Sequence, residues 1–201
     1  MAELYIDLET TGLPPYNAHV VEVAAVAIGE GGTEIGHFAT FVNPGSAALL
    51  GADPKAMAVH GIPVPDIESA PPTEQVARDL AAFLETHAGT RLHAFNNQFE
   101  AGILTCPPWA VEPARWGECV MLAAMRVIGA AGALRRRTTG DLKWPTLDEA
   151  ASFFGVPRMV RHRALDDART TARVHRALLL RDEKEEESLS DEVRLLMEDG
   201  L

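Results

Sequence analysis

The sequence predicts an α/β fold, a mixed sheet flanked by helices, and three observations predict it. Residues 3–42 hold three strand-like stretches separated by turn signals. Beyond residue 73, helical periodicity alternates with a short apolar strand. The 201 residues, 47% apolar and 23% charged, suit one ordinary globular core.

The first strand spans residues 3–10, where Leu4, Ile6 and Leu8 alternate with Tyr5, Asp7 and Glu9. Thr11-Gly12-Leu13-Pro14-Pro15 breaks it. Residues 19–28, rich in Val, Ala and Ile, form the second strand. Gly29-Glu30-Gly31-Gly32 turns the chain, and residues 33–42 return as the third strand, ending at Asn43-Pro44-Gly45. The chain thus opens with an antiparallel meander.

Helices follow. Thr73 is placed to cap a helix whose Val76, Leu80, Phe83 and Leu84 share a face, stopped near Gly89. Leu92-His93-Ala94-Phe95 reads as a short strand, and residues 98–104 and 116–128 as helical. Gly129 to Gly140 is a small-residue stretch carrying Arg135-Arg136-Arg137 and is expected to be a mobile loop. Thr146 with Glu149 makes a capping box for a helix through Phe154, ended by Gly155-Val156-Pro157. A long helix is predicted from about 164 to 181. Residues from Ser190 carry Val193, Leu196 and Met197 at spacings of a short amphipathic helix.

Composition limits the setting. No apolar run approaches the roughly 20 residues of a membrane span. Glu3 precedes only a short apolar stretch near the N-terminus and Asp7 interrupts it, so no signal peptide is expected and the cytoplasm is the expected location, with no membrane partner. Cys106 and Cys119 lack metal-type spacing and are expected to be reduced, packed thiols. The net charge of −11 is wrong for a general nucleic-acid binder, but it fits an enzyme whose carboxylates hold cations that then meet phosphate. Part of the excess is local, in Asp182-Glu183-Lys184-Glu185-Glu186-Glu187, a solvated helix end or tail.

The carboxylates carry the chemistry. Residues two apart on a strand project to one face about 6–7 Å apart, so Asp7 and Glu9 stand side by side. That is costly on a core strand unless a cation sits between them, whereas on an edge strand both acids would be solvated. In the last long helix, positions 164, 167, 171, 174 and 178 form one stripe and 166, 169, 170 and 173 another. Asp166 therefore falls on a wet, arginine-paired face and Asp167 on the inward one. His162 stands five residues before Asp167, about 140° away in a continuous helix, so the two can meet only if His162 lies in the loop ahead of the helix. Taken alone, a histidine between Arg161 and Arg163 reads as a surface residue.

Together these residues resemble the DEDDh subgroup of the DnaQ-like exonucleases, of ribonuclease-H-like fold, over nearly the whole chain. Asp7-Leu8-Glu9-Thr10-Thr11-Gly12 resembles the first motif, and Asn43-Pro44 and Val59-His60-Gly61-Ile62 resemble substrate-side elements. Phe95-Asn96-Asn97-Gln98-Phe99-Glu100 sits where the family has His-Asn-x-x-Phe-Asp. His162-Arg163-Ala164-Leu165-Asp166-Asp167-Ala168 resembles the third motif, and Trp144-Pro145-Thr146-Leu147-Asp148-Glu149-Ala150 a segment of phage and bacterial members. The second motif departs twice: Phe95 replaces histidine, and Glu100 replaces aspartate, moving the carboxylate outward by about 1.5 Å.

The resemblance implies a five-stranded mixed sheet whose first three strands are antiparallel, an exonuclease domain over 1–181 and an acidic tail or short helix over 182–201. It implies a 3′→5′ exonuclease using two divalent ions, Mg²⁺ or Mn²⁺, to stabilise the attacking and leaving oxygens. Asp7, Glu9, Glu100 and Asp167 would be the metal ligands. His162 would be the base, since imidazole with a reference pKa of about 6.5 can accept a proton near pH 8. Thr10, Leu13, His60 and Phe99 would grip the terminal nucleotide. Lys55, Arg135, Arg136, Arg137, Lys143 and Arg158 are candidate phosphate contacts, and Trp144 or Phe99 a stacking platform. The implied partner is nucleic acid with a free 3′ end, and 5′-mononucleotides are the product. DNA is favoured, with an RNA-trimming enzyme, a non-catalytic binding module and a polymerase-associated proofreading subunit as the rivals. The tail from Ser190 reads equally as a partner-binding helix or as one packing on its own core, and self-association stays open.

Overall fold

A computed structural model describes residues 2–13, 18–135, 137–158 and 160–198, with 183–198 as backbone alone. The predicted breakers Pro14 and Pro15, the candidate phosphate contact Arg136 and residues 199–201 of the tail lie outside the described residues.

The meander forms as the alternation predicts. Strands β1 (Glu3–Thr10), β2 (Val20–Ile28) and β3 (Glu34–Phe41) pair antiparallel, and β4 (Leu92–His93) adds parallel to β1, giving the order β3-β2-β1-β4. β1 is therefore central, so its acids are not those of an edge strand. The described sheet has four strands, not the five expected. Where a fifth would lie, Trp116 makes one parallel bridge to Leu92 and Gly117 N donates to Leu92 O at 2.9 Å, after which the chain turns into a helix. Pro113 and Gly117 flank a stretch too short to extend the ladder.

Three short helices that periodicity does not reveal, α1 (Ser46–Leu50), α2 (Pro54–His60) and α3 (Val64–Glu68), follow β3, and their Leu49, Met57 and Ile67 pack with Val21 of β2 and Phe41 of β3. Asp53 caps α2 by accepting from Lys55 N, and Pro54 suits its first turn. Next come α4 (Thr73–Glu85) and α5 (Asn97–Leu104). Thr73 is not the cap of α4. Pro72 holds that position, and the Thr73 hydroxyl turns instead to Asn43 O at 3.4 Å. The predicted helix at 116–128 begins only at α6 (Val120–Ala130), and the capping box of Thr146 and Glu149 opens α7 (Leu147–Phe153).

The long C-terminal helix α8 runs from Ala164 to Glu198 without the break expected after 181, so the acidic run and the segment from Ser190 continue it. No Gly or Pro interrupts residues 164–198, and Glu, Lys, Leu and Arg favour helix. Among the described residues no helix is long and apolar enough to cross a membrane.

Both faces of the sheet are covered. Leu4, Ile6 and Leu8 pack with Val76, Leu80, Leu84 and Leu104 of α4 and α5. Tyr5 and Val26, on the other face, pack against Ala168 and Ala172 of α8. The predicted inward stripe of α8 is buried at Ala164, Asp167, Thr171, Val174 and Leu178. Thr170 departs from the predicted wet stripe: it is buried, which its hydroxyl tolerates by donating to Asp166 O at 2.7 Å. Of the cysteines, both free, Cys119 packs beside α6, but Cys106 is exposed at the end of α5 and is not the packed thiol expected.

Candidate metal centre

The face of β1 that carries Tyr5 also carries Asp7 and Glu9, and α8 crosses it. This brings Asp167, in the first turn of α8, over the two strand acids. The β1–β2 register is regular up to Glu9, which pairs with Glu22; only beyond it does a bulge put Thr10 opposite Val20 and leave Val21 as the extra residue. Glu22, unnoticed in the sequence, thus joins the same face, directly opposite Glu9. Glu100, from α5, completes the group and is buried.

Asp7, Glu9, Glu100 and Asp167 are pushed toward their protonated forms. Burial raises Asp7 well above the usual aspartate range, reinforced by the charges of Glu100, Asp167, Glu9 and Glu22. Burial carries Glu9 to about 8, with Asp167 and Glu22 adding and Arg163 opposing. Glu100 rises to about 8, again chiefly through burial, against the pull of its own backbone N–H. Asp167 rises by burial despite the guanidinium of Arg158. Such a cluster needs a cation. The oxygens of Glu9 and Asp167 and a ring nitrogen of His162 lie within 4.8 Å of one another. Glu100 Oε2 is buried with no hydrogen-bond partner. An orphaned carboxylate oxygen among other acids fits an oxygen-preferring divalent ion, so this donor set suits the group.

His162 sits where the helical argument requires, exposed in the loop ahead of α8, with a left-handed φ of 56°. Its backbone N–H donates to Asp167 Oδ2 at 3.3 Å. Arg163 locks the loop from behind. Its Nε and Nη2 reach both Glu22 oxygens at 3.0–3.3 Å, and Ala164 N donates to Glu22 Oε2 at 3.2 Å. Asp166 points away and pairs loosely with Arg169, as the stripe predicts.

The remaining predicted residues divide. His60, the last residue of α2, is buried; its Nδ1 accepts from Ile62 N at 3.0 Å, and its Nε2 has no partner. Burial lowers its pKa, helped by the charges of Arg163 and His162, which places it beside the His162 loop. Leu13 is 75% exposed. The Thr10 hydroxyl is engaged with Gly12 O at 2.7 Å, so it shapes the turn rather than projecting a donor. Phe99 is half-buried against the main core. Trp144 is exposed with Arg137 stacked at 5.2 Å, and Lys143 is paired with Glu149. Arg158 is not a free phosphate contact: it lies on Asp167 and Asp148. The residues that sequence reasoning missed, Glu22 and Asp148, act through arginines. A glutamate inside the apolar run Val20–Ile28 is the signal that marks Glu22.

Comparison with known proteins bears on the family and the fold. Residues 4–107 match the RNase_T family, described as Exonuclease. Over 168 residues, 84% of the chain, it is 31% identical to the DNA polymerase III PolC-type protein of Caldanaerobacter subterraneus subsp. tengcongensis. It spans only 11% of that protein's length. The nuclease domain of 3′hExo, a DEDDh family member solved with rAMP, superposes with a TM-score of 0.67 at 19% identity, covering 90% of this chain and 92% of that one. Exonuclease I of E. coli, solved with a dA16 oligonucleotide, gives 0.67 at 18% identity, covering 88% and 40%.

Proposed function

Because the chain belongs to the DnaQ-like exonuclease family, we propose that it hydrolyses phosphodiester bonds at the 3′ end of nucleic acid and releases 5′-mononucleotides. The observation that carries this reading is that Glu9, Asp167 and His162 offer ligand atoms within 4.8 Å of one another, with Asp7 and Glu100 close enough for their charges to act on the same group. We read residues 1–181 as the catalytic unit and 182–201 as an acidic extension.

Asp7, Glu9, Glu100 and Asp167 would hold the divalent ions, two of Mg²⁺ or Mn²⁺. When bound, these supply positive charge that polarises the scissile phosphate and favours the oxygens that enter and leave. The chain does the rest. The ring nitrogen of His162 that faces Glu9 and Asp167 accepts the proton of the attacking water. Its exposure lets that proton pass to solvent. The fixed acceptor role of His60 Nδ1 leaves the proton on Nε2, an unpartnered donor for a sugar or phosphate oxygen of the terminal nucleotide. Leu13 offers an apolar surface to its base.

A DNA end is the favoured substrate, supported by the likeness to a PolC-type DNA polymerase and to a nuclease solved with a deoxyoligonucleotide. An RNA end is the second reading, favoured by the likeness to a nuclease solved with rAMP. The test uses 5′-labelled single-stranded DNA and RNA with Mn²⁺ or EDTA, beside Asp167→Ala. Metal-dependent shortening from the 3′ end, lost in the variant, is expected. No shortening of either strand sinks the enzymatic reading, and equal rates for wild type and Asp167→Ala sink the site.

A further inference from the structure

Among the four acids assigned to the metal centre, one already has a cation. Arg158 Nη1 donates to Asp167 Oδ1 at 2.6 Å, and Arg158 Nε donates to Asp148 Oδ1 at 2.7 Å. No other side-chain cation among the described residues lies within ion-pair distance of Asp7, Glu9, Glu100 or Asp167, histidine apart. The Arg158 side chain is only 12% exposed, so both of these bonds are made largely out of water.

The bridge is anchored from the far side. Asp148 sits in the first turn of α7, which the Thr146–Glu149 capping box holds in place. Its second oxygen is ion-paired with Arg161 Nε at 3.2 Å. The result is a row of alternating charge, Arg161–Asp148–Arg158–Asp167, that ends inside the acidic cluster. Asp167 has both oxygens engaged, Oδ1 by Arg158 and Oδ2 by the His162 N–H. A planar guanidinium suits this bridge because its fork offers donors to two carboxylates at once, which a lysine ammonium on a flexible stem does not fix.

The geometry points to Arg158 as a resident counter-ion of Asp167 that competes with the divalent metal and sets the concentration at which the centre fills. It keeps the acids from repelling one another before metal arrives. Asp148 retains the guanidinium afterwards, leaving Nη1 at the rim of the site. This rests on the reading of Asp167 as a metal ligand.

The experiment measures Mn²⁺ affinity directly, by calorimetry and by the free-ion electron paramagnetic resonance signal, for wild type, Arg158→Gln, Arg158→Lys and Asp167→Asn. Arg158→Gln is expected to bind Mn²⁺ about ten-fold more tightly than wild type, the scale of one charge-assisted hydrogen bond. Arg158→Lys is expected to fall between them. The metal-free melting temperature of Arg158→Gln should drop, and saturating Mn²⁺ should close the gap. Unchanged or weaker Mn²⁺ binding in both Arg158 variants overturns the proposal, because it means that the guanidinium organises Asp167 for the ion. Wild-type affinity in Asp167→Asn overturns the metal-ligand reading itself, a distinguishable failure.

Discussion

Glu9 and Glu22 stand directly opposite each other across β1 and β2, and only Glu22 is clasped by an arginine. Like charges in register destabilise a strand pair, so Arg163 is what makes the second acid tolerable. The same clasp fixes the loop that presents His162. Glu22→Gln is therefore expected to lower kcat roughly ten-fold with little change in KM. Breaking a buried pair costs about 3–5 kcal/mol, but Arg163 is 40% exposed, so about 1–2 kcal/mol of stability should be lost. Urea unfolding beside steady-state kinetics checks both.

The acid cluster makes metal-free stability depend on pH in an unusual direction. Glu9 and Glu100 sit at about 8 in the folded protein against an ordinary 4.5. Between those values the folded state holds more protons than the unfolded one, so stability falls as pH rises and the loss is complete only above about 8. In EDTA the melting temperature should be at least about 5 °C lower at pH 9 than at pH 6. Saturating Mn²⁺ should abolish the difference, and Glu100→Gln should roughly halve it. A melting temperature that rises from pH 6 to pH 9 in EDTA would contradict the electrostatics described.

Leu13 follows the end of β1 by three residues, is largely exposed and belongs to none of the core clusters. Leu13→Ala should change stability by less than about 0.5 kcal/mol yet raise KM for an oligonucleotide several-fold. An unchanged KM would remove Leu13 from the substrate contacts.

Farther along the same face, the Tyr5 hydroxyl and His175 Nδ1 are hydrogen-bonded at 3.0 Å, both residues buried against the His93 ring. Tyr5→Phe leaves His175 Nδ1 without its partner and should cost about 1–3 kcal/mol by thermal or urea unfolding. Nuclease activity below the melting range should stay within about two-fold, because this contact supports α8 and not the reaction.

What was legible in the sequence follows from how far apart the interacting residues lie. Asp7 and Glu9 are two apart on a strand, and Asp167 is separated from Asp166 by helical phase, so local periodicity places all three. His162 could be put ahead of α8 for the same reason. Glu22 and Arg163 are 141 residues apart, and nothing local to either announces the other. Arg158 looked like a spare cation because Asp148 and Asp167 meet it only after α7 and α8 dock. The expected fifth strand failed for a local reason, since Gly117 and the start of α6 leave Trp116 a single bridge. Periodicity finds each face, but it does not find the partner across the fold.

The left-handed backbone at His162 constrains how this protein can be silenced. At a φ of 56° a β-branched side chain meets its own carbonyl, so Val or Thr there would displace the loop as well as remove the imidazole. Asparagine accepts that handedness at little cost and cannot serve as the base. His162→Asn is thus the substitution suited to trapping an intact nucleic-acid end on an otherwise unaltered surface. The position selects its occupant twice, by proton affinity and by backbone chirality.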